Sequence, residues 1–160
     1  MIMTILVPVD GSEHASKAVQ LAADIAEKYD ARLVLLNVLP RGPLPEALRH
    51  WAEVEHLGAA GASEPEAGGE EDSRRDVYAL IGQRILDSAA AIAKKKRVAR
   101  IDSFTADGDP AKRILEYAED QKANLIVMGS RGVSDLRGLL MGSVSHKVSH
   151  LAPCSCVTVR

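Results

Sequence analysis

The stretch Gly129-Ser-Arg-Gly132-Val-Ser-Asp-Leu-Arg-Gly138-Leu-Leu-Met-Gly142-Ser143-Val144 constrains this chain more than any other. Just upstream, Leu125-Ile126-Val127-Met128 is a short apolar run of the kind that forms a buried strand, and Leu139 onward can wind into a helix. Strand, glycine-rich loop and helix together make an arrangement that holds a phosphate group. Glycine lets backbone N–H groups turn inward and approach an anion closely, and the following helix adds its positive N-terminal end. Two residues separate Gly129 from Gly132 and nine separate Gly132 from Gly142, with the hydroxyl and N–H of Ser143 directly after. Two commoner phosphate motifs are absent: no Lys precedes Ser143, as G-x-x-x-x-G-K-[ST] requires, and G-x-G-x-x-G does not occur. A lone glycine loop of this kind also suits a plain surface connection, and Arg131 within it either reaches phosphate charge or lies in solvent.

With those residues in view, the chain resembles the universal stress protein family, whose nucleotide-binding members carry G-x2-G-x9-G-[ST]. The resemblance takes in Pro8-Val9-Asp10-Gly11-Ser12 near the start and Ala152-Pro153-Cys154 near the end. It spans nearly the whole chain apart from the segment between about Arg41 and Ser73. It implies ATP bound across the carboxyl ends of the first and fourth strands. Pro8, Val9 and Asp10 then line the adenosine, with Asp10 on the ribose, and the Val38 backbone faces the adenine. Met128 is counted among the binding positions, and Gly129, Arg131, Gly132, Gly142, Ser143 and Val144 cradle the phosphates, with Mg or Mn beside them. The resemblance also implies a homodimer joined through the last strand. Cys156 departs from the family pattern, which has Cys at the Ala-Pro-Cys position without metal.

The elements follow from periodicity and end signals. Thr4 to Val9 is a continuous apolar run, a buried parallel strand, and Ser12 is placed to cap the next helix. That helix carries Ala15, Ala18, Val19, Ala22, Ile25, Ala26 and Tyr29 on one stripe, and Arg32 to Leu39 reads as the second strand. The glycines and prolines between Arg41 and about Ser73 predict a long, flexible connection with a short helix around Leu44 to Leu57 and one anchor, Trp51. A helix over Asp76 to about Lys96 presents Val77, Leu80, Ile81, Ile85, Ser88 and Ile92. Val98 to Ala106 alternates loosely as a third strand. Asp109-Pro110 opens a helix buried through Ala111, Ile114, Leu115 and Ala118. After the fourth strand and the glycine loop, a helix over roughly Met141 to Leu151 precedes a final strand, Ser155 to Val159. Five strands alternating with four helices predict one Rossmann-like α/β domain, a doubly wound parallel sheet with helices on both faces. Asp10 then sits at the carboxyl end of the first strand. There it either accepts from a ribose or stands beside a metal ion, or it only steadies the adjacent turn and helix start. Ser155 to Val159 is a short apolar strand at a sheet edge, and an uncovered edge invites pairing.

Bulk properties exclude several function classes. The net charge of −2 leaves no footprint for nucleic acid and no polybasic membrane patch, and 3% aromatic content offers few platforms for stacked single strands. The basic cluster Lys94-Lys-Lys-Arg97 complements the end of a helix dipole. No apolar run approaches the roughly 20 residues that span a bilayer. The start of the chain lacks the pattern of a signal peptide, so the expected compartment is the cytoplasm and Cys154 and Cys156 are expected as reduced thiols.

Sharper chemistries fit less well. His146, His150, Cys154 and Cys156 have zinc-type side chains, but a helix directed away from the strand that follows does not easily gather all four around one ion. Ser130, Ser143 and Ser145 have no sequence-visible base, and loop hydrogen bonding or helix capping accounts for them. A phosphate loop without the P-loop Lys supplies binding but little transition-state stabilisation, so slow or no hydrolysis is expected. Three function classes remain: an ATP-binding stress regulator, an interaction protein of the same fold that binds no nucleotide or a cyclic one, and a true nucleotide hydrolase or transferase.

Overall fold

A computed structural model describes residues 1–39, 70–133 and 141–160. In chain order the described elements are β1 (Thr4–Pro8), α1 (Glu13–Tyr29), β2 (Arg32–Leu39), α2 (Glu70–Lys95), β3 (Ile101–Asp107), α3 (Pro110–Asp120), β4 (Leu125–Gly129), α4 (Ser143–Leu151) and β5 (Ser155–Val159). The strands form one parallel sheet in the order β3-β2-β1-β4-β5, the doubly wound architecture expected from the alternation of elements. Both faces of the inner strands are covered, which explains their unbroken apolar runs. Alternate side chains enter two separate cores. Ile5, Val7, Leu33, Leu35, Leu125 and Val127 pack with α1 and α2. Leu6, Val34, Leu36, Ile126 and Met128 pack with α3 and α4. The outer strands are less protected: β3 alternates between half-buried and exposed, and β5 leaves Val157 36% exposed.

Helix starts obey the capping chemistry read from the sequence. Ser12 Oγ accepts from the Ala15 N–H at 3.1 Å, and Asp109 Oδ1 accepts from the Lys112 N–H at 2.8 Å with Pro110 next in line. Three expectations need correction. Tyr29 does not belong to the buried stripe of α1: it is 53% exposed, and Ala23 takes a buried place instead. The buried face of α2 is rotated from the expected one. Leu80 and Ser88 are exposed, whereas Gly82, Leu86, Ala89 and Ala93 turn inward, and the small Gly82, Ala89 and Ala93 let the helix lie close to the sheet. Third, α2 begins at Glu70, so the connection does not extend to Ser73. Its first turn carries Glu70, Glu71 and Asp72, acidic residues favoured where a helix begins but easily read as a charged loop. The short helix expected around Leu44 to Leu57, and Trp51 with it, lie outside the described residues. At the other end of α2 the basic cluster is exposed, and Lys96 Nζ meets Asp24 Oδ1 of α1 at 2.6 Å.

Candidate functional site

The sheet divides at its centre. The β1–β4 ladder pairs Ile5 with Leu125 and Leu6 with Ile126, while β1 stays paired with β2 as far as Pro8 and Leu36. Pro8 has no N–H to donate, which suits a position where the ladder toward β4 has ended. Strand order reverses between β1 and β4, the switch point outside which open α/β sheets form their crevices. A cleft of about 190 Å³ opens there. All eleven residues singled out from the sequence line it: Pro8, Val9 and Asp10 after β1, Val38 at the end of β2, Met128, Gly129, Arg131 and Gly132 from β4 and its loop, and Gly142, Ser143 and Val144 at the start of α4.

Two of the glycines are required by close approach. A Cβ on Gly129 lies 2.9 Å from the His14 backbone carbon and 3.0 Å from the Ala15 nitrogen, so the first turn of α1 packs directly on this residue. A Cβ on Gly132 lies 2.6 Å from Asp10 Oδ2. The Asp10 carboxylate braces both turns of the cleft. Its Oδ1 accepts from the Ser12 N–H at 3.0 Å and its Oδ2 from the Val133 N–H at 3.1 Å.

Ser130 joins four parts of the site. Its N–H donates to the Val159 carbonyl of β5 at 2.7 Å, and its own carbonyl accepts from the Gly142 N–H at 2.7 Å. Ser145 Oγ donates to that same carbonyl at 2.8 Å, and Ser130 Oγ is paired with His14 Nδ1 at 3.0 Å. The two serines are thus loop fasteners. Ser130 is buried, at 2% exposure, and the His14–Ser130 pair could not be read from the sequence because 116 positions separate its members.

Residues that carry hydrogen-bond donors line the cleft. Gly142 is the N-cap of α4 and makes no side-chain cap bond. The first N–H groups of a helix have no partner inside it, so those after Gly142 are, among the described residues, open to an anion. Nε of Arg131 is buried and has no hydrogen-bond partner among the described residues. A buried donor without a partner costs free energy that a bound anion recovers.

Sequence reasoning missed one wall. Tyr78, Ile81, Gly82 and Ile85 of α2 line the cleft opposite the glycine loop. The available signal was Gly82, a glycine inside an apolar helix repeat, where it is unfavourable unless something approaches closely. Its Cβ position lies 2.6 Å from Asn37 Oδ1 and 2.9 Å from Leu39 Cδ2. Asn37 itself is buried and donates from Nδ2 to the Val9 carbonyl at 2.8 Å, which fixes the end of β2 to the turn after β1.

Away from the cleft, His146 and His150 stack with ring centroids 4.9 Å apart, and Ser149 Oγ lies 3.7 Å from Cys156 Sγ. Among the described residues no group of three or more His, Cys, Asp or Glu side chains is placed to hold an ion. Cys154 and Cys156 are free thiols. Burial pushes both above the ordinary thiol range, Cys154 being raised further by the neighbouring Cys156. At neutral pH both therefore stay protonated and weakly nucleophilic. No helix among the described residues is long and apolar enough to cross a membrane.

Fold and cleft together define a doubly wound α/β protein with a glycine-rich loop and an open helix N-terminus at its switch point. The chain belongs to the universal stress protein family, whose sequence model matches residues 1–160, as the motif resemblance predicted. Universal stress protein YxiE of Bacillus subtilis (strain 168) is 34% identical over 162 aligned positions that cover 100% of both chains. The universal stress protein in the QAH/OAS sulfhydrylase 3'region of Thermus aquaticus is also 34% identical, again over 100% of both chains. Among solved structures, a universal stress protein in complex with cAMP superimposes with a TM-score of 0.68 at 25% identity, covering 99% of this chain and 97% of that one.

Proposed function

We propose that the cleft binds ATP, with Mg or Mn on its phosphates, and that the protein is a cytoplasmic, nucleotide-dependent regulator of a stress response with slow or no hydrolysis. The observation that carries this reading is that Arg131, whose Nε has no partner among the described residues, and the start of α4, which has no side-chain cap, line one glycine-rich cleft. Gly129, Gly132, Gly142, Ser143 and Val144 then surround the phosphates, Pro8, Val9 and Met128 bound the nucleoside, and the Val38 backbone faces the base. Asp10 is the ribose ligand of this reading, and a carboxylate oxygen that accepts one backbone N–H has a second lone pair to offer. Asp10 is also the one carboxylate that lines the cleft among the described residues, so a divalent ion here takes most of its ligands from phosphate oxygens and water. Bound there, the ion supplies charge neutralisation. No Lys lines the cleft among the described residues, which favours binding over turnover.

Calorimetric titration with ATP and magnesium is expected to show one site per chain, with phosphate release far below ordinary enzyme turnover. Absence of binding overturns the reading. The complex of the similar protein with cAMP favours a second reading, a cyclic-nucleotide binder, and the same titration with cAMP decides between them by which ligand binds more tightly.

The reading includes a homodimer through β5. That strand is an edge among the described residues, and Val157 and Leu151 beside it are 36% and 59% exposed. Light scattering at micromolar concentration is expected to give twice the chain mass of 17.1 kDa, and a monomer at that concentration removes this part.

A further inference from the structure

We propose that Tyr78 is the stacking surface for the nucleobase, so that α2 sets the requirement for a planar aromatic group at the β2 end of the cleft. The inference rests on the nucleotide reading above and goes further by assigning base recognition to a helix outside the glycine loop.

The chain has one Trp, three Tyr and one Phe. Phe104 and Tyr117 are paired with each other, ring centroids 5.6 Å apart, and Tyr29 is exposed on the surface. Among the described residues, Tyr78 is the aromatic side chain that lines the cleft, and it is half-buried there. Its position follows from Gly82, one helical turn further along α2. The close approach of Gly82 to Asn37 and Leu39 seats α2 on the carboxyl end of β2 and holds the turn bearing Tyr78 beside Val38. The anion-binding features all lie at the other end, on β4, its loop and α4. The sheet order β2-β1-β4 puts two strand spacings between the ends, about 10 Å, the reach of a nucleoside from base to 5′-phosphate. One end is therefore apolar and aromatic and the other rich in donors, in the order a nucleotide presents base and phosphate. Bases stack on aromatic rings whatever their edge pattern, because every base has a π-face. Tyr78 thus recognises that a base is present, and the polar backbone around Val38 is left to recognise which one.

Titrations of wild type, Tyr78→Phe, Tyr78→Leu and Tyr78→Ala with ATP and with inorganic tripolyphosphate test this. Stacking predicts that Tyr78→Phe keeps ATP affinity, that Tyr78→Ala weakens it on the order of ten- to a hundredfold, and that all variants bind tripolyphosphate alike. Tyr78→Leu keeps bulk without the ring and carries the test if the alanine variant does not fold. ATP affinity within twofold of wild type in Tyr78→Leu overturns the proposal, as does an equal loss of tripolyphosphate and ATP, which indicates a packing role. If wild type binds tripolyphosphate as well as ATP, the site has no base subsite and Tyr78 no such role, while phosphate binding stands. If wild type binds neither, the nucleotide reading falls and this inference with it.

Discussion

The Ser143→Asp variant is expected to keep or slightly raise its melting temperature while losing ATP affinity by on the order of a hundredfold. Ser143 is the first residue of α4 and is exposed, so an aspartate fits without repacking. A carboxylate in the first turn of a helix is favourable by about 0.3–1 kcal/mol through the positive end of the dipole. The same carboxylate occupies the ground that a phosphate needs. Two unit charges about 4 Å apart at a protein surface repel by about 4 kcal/mol before salt screening, and a triphosphate carries several. Stability and binding thus move in opposite directions, which a misfolded variant cannot imitate. Ser143→Ala, which removes only a hydroxyl, should cost less than about tenfold. Thermal melts and calorimetry on the three proteins check this, and undiminished ATP binding by the aspartate variant would show that phosphates do not lie at α4.

Ile126→Ala is expected to be the more damaging change to the fold. Ile126 is fully buried in β4, between Leu6 of β1 and Cys156 of β5 in the ladder, and packs into the core under α3 and α4. Truncating a buried Ile removes transfer free energy and leaves a cavity, at about 2–5 kcal/mol. For a chain of this size that lowers the melting temperature by roughly 5 to 20 °C. Such a loss is a large share of the about 5–15 kcal/mol that holds a typical domain together. A drop below about 1 kcal/mol by denaturant unfolding would mean that β4 is not packed between these layers.

The features legible in the sequence are those that act locally. The apolar run ending at Asp10, the Ser12 and Asp109 caps and the glycine spacing after Met128 each depend on a few neighbouring residues, and each is found where its chemistry put it. The wall contributed by α2 was not legible. Gly82 looks like a flaw in a helix until Asn37 is beside it, and Tyr78 looks like a surface aromatic until the cleft is seen. The two sit forty and forty-four positions from Val38, across a stretch whose composition says little about where the chain returns. The start of α2 is illegible for a related reason: Glu70, Glu71 and Asp72 favour a helix start and a solvated loop equally well, and only the elements around them decide. The His14–Ser130 pair likewise exists only because α1 packs on Gly129.

Ser130 is moored on one side to the last residue of β5 and on the other to Gly142 at the head of α4. Both tethers are 2.7 Å and both belong to one residue, so a pull on Gly142 is transmitted to the rim of the sheet with no intervening side chain. The head of α4 and the edge strand of the sheet therefore hang from the two polar groups of a single residue.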